Sequence, residues 1–66
     1  MMPIDPSEVL HKALEREKWA YRKYSEAVDQ FEDPEIKELF RTLAEEEKRH
    51  VEMIQAELDR EVFKEF

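Results

Sequence analysis

The sequence predicts an all-α fold, an antiparallel two-helix hairpin that dimerises into a four-helix bundle, with residues 1–66 forming a single domain. Three observations predict it. Apolar residues recur at spacings of three and four along two long segments, the period of a helix with one buried face. Asp5-Pro6 and Asp33-Pro34 stand at the heads of those segments; aspartate is favoured at the N-cap and proline at the first helical position. Glycine is absent, which excludes tight type I′ hairpins and glycine-rich phosphate loops.

The first helix is expected over about residues 6–31. Asp5-Pro6-Ser7-Glu8 reads as a capping box with aspartate in the place of serine or threonine, and Ile4 is placed to pack on Val9 as a hydrophobic staple. The second helix is expected over about residues 34–64, with Glu35 in its first turn to suit the helix dipole. Only Glu32-Asp33 separates the two, so the helices should lie antiparallel.

The predicted seam runs through Leu10, Leu14, Glu17, Tyr21, Tyr24, Val28 and Phe31 on the first helix. On the second it runs through Ile36, Phe40, Leu43, Glu47, His50, Ile54 and Glu57. Such a 3.5-residue repeat belongs to helices packed at a shallow angle. The second helix carries another apolar row, Ala44, Val51, Leu58 and Val62, with Leu39, Met53 and Phe63 nearby. One partner helix cannot cover two rows. The surplus predicts self-association into a homodimer or a higher even oligomer.

Composition narrows the function. A chain of 66 residues has little core to bury. Without cysteine it has no disulfide, thiolate zinc site or thiol nucleophile. Self-association, or a metal held by oxygen and nitrogen ligands, remains as a staple. A net charge of -7 argues against nucleic acid and anionic membrane as partners and suits a chain that handles cations. No apolar run is long enough to span a bilayer, and no basic-then-apolar signal segment opens the chain. A cytoplasmic location is the expectation.

Three polar residues interrupt the seam: Glu17, Glu47 and His50. Charge in a helical core is costly unless paired or bound to metal. Glu47 and His50 form a Glu-x-x-His pair, whose side chains share one helix face. Counted from the turn at residue 33, Glu17 lies sixteen positions before, and Glu47 and His50 fourteen and seventeen after. All three therefore reach one height, roughly 24 Å from the turn at about 1.5 Å per residue. A two-fold dimer would double them to four glutamates and two histidines. One Glu from each of two helices and Glu-x-x-His from each of the others is the ligand set of di-iron and di-manganese carboxylate bundles. Without a cation, four carboxylates in one core repel.

Plainer readings stand beside these. Glu45, Glu46, Lys48 and Arg49 surround the three residues, which could form a solvated ion-pair face. Glu8 and His11 form a second Glu-x-x-His; this is a cap plus an exposed imidazole, or a lesser cation site with Glu57. Tyr24 is core filler, or hydrogen-bonds a ligand carboxylate or carries an electron. Trp19 is a packing or interface aromatic.

With these residues in view, Ala13–Glu57 resembles a rubrerythrin- or ferritin-like half domain. The resemblance rests on Glu17, Tyr24, Asp33-Pro34-Glu35-Ile36-Lys37, Phe40 and Leu43-Ala44-Glu45-Glu46-Glu47-x-x-His50. Full-length members carry two such hairpins on one chain. A single hairpin is most similar to the two-helix encapsulated ferritins, whose site is built across a subunit interface, and the thirty-residue separation of Glu17 from Glu47 matches them. The resemblance implies a ferritin-like bundle with Glu17, Glu47 and His50 as iron ligands and Tyr24 as a catalytic tyrosine close to the site but outside the ligand set. It also implies two iron ions per dimer, though manganese or zinc suits the same ligands. In roles, Glu47 would bridge, Glu17 would bridge or be terminal, and His50 would be terminal. The implied activity is oxidation of Fe(II) by O₂ or peroxide. Three features depart from the family pattern. No four-cysteine rubredoxin module is present, Arg16 and Trp19 replace the acidic iron-uptake residues of the first helix, and the chain ends at Lys64-Glu65-Phe66 without an encapsulin-targeting peptide. The competing expectation is a non-enzymatic helical assembly module, with a structural metal or none.

Overall fold

The computed structural model describes residues 5–64, with side chains described through residue 60. It contains two helices, α1 (Pro6–Gln30) and α2 (Pro34–Lys64), packed against each other as a hairpin. Among the described residues there is no strand. Both helix starts follow from the Asp-Pro pairs. Asp5 is extended at φ -77°, ψ 116°, and its carboxylate accepts the Ser7 N–H at 2.9 Å. Asp33 does the same for the Glu35 N–H at 2.9 Å. Each cap satisfies one of the orphan donors of a helix N-terminus. The capping box is only half formed: Glu8 does not reach back to Asp5 but pairs with Lys12 one turn on, at 3.3 Å. Both of those side chains are exposed, so the pair adds little. The proposed staple partner Ile4 lies outside the described residues, and so do the side chains of Val62 and Phe63.

The other end of α1 is closed in a way the sequence reading did not foresee. Helix α1 has no basic residue in its last turn, and its final carbonyls need donors. Lys37, from the first turn of α2, supplies them: its ammonium donates to the Val28 carbonyl at 2.6 Å and the Phe31 carbonyl at 3.0 Å. The connection is Phe31-Glu32-Asp33, with Phe31 extended as the C-cap rather than the last helical residue. Phe31 stacks on Phe40 at 5.6 Å between ring centroids, and Phe40 stacks on Tyr24 at 6.2 Å.

Packing rotates the predicted seam on α2. The residues of α2 that α1 covers best are Ala44 and Leu58, with Val51 half-buried between them. This is the row expected to need a second chain, and one partner helix covers it from Ala44 to Leu58. The row one residue earlier, Ile36, Leu43 and His50, is turned about 100° away and lies at the margin or outside. Ile36 and His50 are exposed, and Leu43 is half-buried. On α1, Leu14 is buried, while Tyr21 and Phe31 are exposed. The need for cover therefore persists, but at a different row.

The shape explains why. The hairpin measures 50 × 25 × 12 Å, and its thinnest dimension is that of a single helix with its side chains. Its radius of gyration is 15.6 Å, against about 11 Å for a compact domain of this length. One layer of helices has two open faces and encloses no core. Accordingly only Leu14, Ala44 and Leu58 are buried among the described residues. Val9, Trp19, Leu39 and Met53 are half or more exposed. No helix of the described residues is long and apolar enough to cross a membrane.

Candidate metal centre

Helix α1 presents Glu17, and α2 presents Glu47 and His50 from one face, three residues apart. The hairpin brings all three together: one ligand atom from each lies within 4.8 Å of the others. The matching heights counted from the turn are therefore realised in space. The His50 Nδ1 stands 3.6 Å from Glu17 Oε2 and 3.6 Å from Glu47 Oε2. That is near enough for a shared charge and too long for a hydrogen bond. Two carboxylates and an imidazole thus converge without bonding one another.

Their exposure is graded. The Glu47 side chain keeps 18% of its surface, Glu17 27% and His50 47%. The group is sealed at Glu47 and open past His50. Glu47 Oε2 is buried with no hydrogen-bond partner, and leaving such an atom unsatisfied costs about 1–3 kcal/mol or more for a charged group. An orphaned carboxylate oxygen beside a second carboxylate and an imidazole nitrogen is what a cation would satisfy. The residues fit a metal. Oxygen and imidazole donors suit iron, manganese and zinc alike. The solvated ion-pair reading fails for Glu47, which turns inward, while Glu45, Glu46, Lys48 and Arg49 around it are exposed.

Other candidates are not gathered. Among the described residues, Glu17, Glu47 and His50 are the one group of three able to hold an ion. Glu8 pairs with Lys12, Glu57 with Arg60, and His11 is exposed. Tyr24 lies one heptad from Glu17 toward the turn, about 10.5 Å along the helix. Its ring is half-buried against Phe40, and among the described residues no hydrogen bond joins its hydroxyl to the triad. Trp19 does not pack within the hairpin. It is 55% exposed, with the Lys23 ammonium 5.9 Å from its ring centroid. The residue that the sequence reading missed is Lys37. Its signal was an α1 with no cation in the last turn, followed by a lysine early in α2.

No curated protein and no solved structure matches the chain. A family model described as Rubrerythrin matches residues 4–61, a span that holds both helix starts and all three converging residues. The chain belongs to the rubrerythrin family, a ferritin-like family of di-iron domains, and Glu17, Glu47 and His50 form the group in it that could bind the metal.

Proposed function

We propose that two copies of this hairpin pair through the face that bears the triad, and that four glutamates and two histidines would then hold two iron ions at a site where O₂ or peroxide oxidises Fe(II). The observation that supports this reading is the buried Glu47 Oε2, which accepts no hydrogen bond and lies within reach of Glu17 and His50. Three protein ligands are few for a buried ion, and the open side of the group lies past His50.

The apolar surplus is on the same side. Ile36 and Leu43 share their helical row with His50, and Leu39 is exposed beside them. A partner that covers this row also closes the open side of the triad. A second copy brings both an apolar row and the missing ligands, which is the self-complementarity of a two-fold interface. The hairpin exposes 5662 Å², against about 4,500 Å² for a compact monomer of its mass. The excess is of the order that each partner buries in a standard interface, about 800 Å².

In such a dimer Glu17, Glu47 and His50 of both copies would hold the ions, His50 through Nδ1, the nitrogen that faces both carboxylates. The iron pair supplies redox chemistry when bound. The protein would supply the negative charge of the glutamates and one imidazole nitrogen per ion. Tyr24, one heptad from Glu17 on the turn side, would support the site from there.

The test is elemental analysis of the iron-loaded protein together with its mass in solution. Two metals per two chains and a dimeric or higher even mass are expected. A folded, cooperatively melting monomer at low micromolar concentration, with iron present, overturns the shared site. Leu39→Glu separates assembly from folding: its side chain is exposed in the hairpin, so it should leave helicity intact and abolish the dimer. Fe(II) oxidation in air, beside His50→Ala, then tests the activity. The alternative, an assembly module without oxidase chemistry, is favoured if the dimer forms with full stability and no metal.

A further inference from the structure

We draw no further inference here: the strongest candidate, the open groove between the helices lined by Tyr21, Ser25, Arg41, Thr42 and Arg49, carries nothing because nothing in the structure shows what fills it.

Discussion

The turn end of the hairpin and its middle are built from the same two helices and reach opposite outcomes. At the turn, polar groups find partners within the chain. Asp33 caps α2, Lys37 closes α1, and Tyr24, Phe40 and Phe31 stack in a row. In the middle, Glu17, Glu47 and His50 converge without hydrogen bonds between them, and the buried Glu47 Oε2 accepts no hydrogen bond. Local sequence distance accounts for the contrast. Near the turn a side chain of one helix can reach the loose carbonyls of the other. Sixteen residues away, every backbone group is already spent in the helix, so a buried carboxylate there can be satisfied only by a side chain, a water or an ion. A region that does not complete itself is where function is expected.

The largest effect should come from the middle. Glu47→Ala and His50→Ala should lose stoichiometric metal while remaining helical by circular dichroism, since neither residue is among the buried apolar residues Leu14, Ala44 and Leu58. Metal at a hundred times its dissociation constant should stabilise the parent by about 2.7 kcal/mol, and neither variant should respond. If His50→Ala keeps the parent's metal content while His11→Ala loses it, the wrong Glu-x-x-His has been chosen.

Lys37→Met tests the turn end. It keeps the aliphatic stem and removes two charge-assisted hydrogen bonds to Val28 and Phe31, at an expected cost of about 1.5–3 kcal/mol in urea denaturation. Metal content at saturating iron should not change. If it falls, the two regions are coupled and the comparison fails.

Glu47→Leu, assayed without metal, should move stability the other way. Replacing an unsatisfied buried carboxylate with an apolar side chain of similar reach should raise the metal-free protein's stability by about 1–3 kcal/mol. An apo parent more stable than Glu47→Leu would mean that Glu47 is already satisfied without a cation.

The smallest effect distinguishes the two parts of the α1 cap. Asp5→Ala should cost about 1 kcal/mol, because it removes the acceptor of the Ser7 N–H. Glu8→Ala should cost no more than about 0.5 kcal/mol, since Glu8 only pairs with Lys12 on the surface. Equal costs by chemical denaturation would restore the full capping box.

Much of this was legible from the residues in order. The Asp-Pro pairs set both helix starts because capping and the fixed φ of proline act within one turn. The heights of Glu17, Glu47 and His50 followed from counting about the turn, because the rise per residue is constant. The rotation of the helices about their own axes was not legible. Two apolar rows on α2, through Ala44 and through Leu43, lie one residue apart, and periodicity alone ranks them equally. Packing buried the row of Ala44 and Leu58, and it left Ile36 and His50 exposed.

The sequence by itself determined two helices, their antiparallel order and the level at which two carboxylates and an imidazole would meet, because each depends on local geometry and counting. Only the tertiary structure decided which face was spent on holding the hairpin and which was left open beside the triad. It also decided that Lys37 would close the helix that lacks a cation of its own. Those outcomes depend on how side chains of different size share one contact between two cylinders, and no single stretch of the chain contains that information.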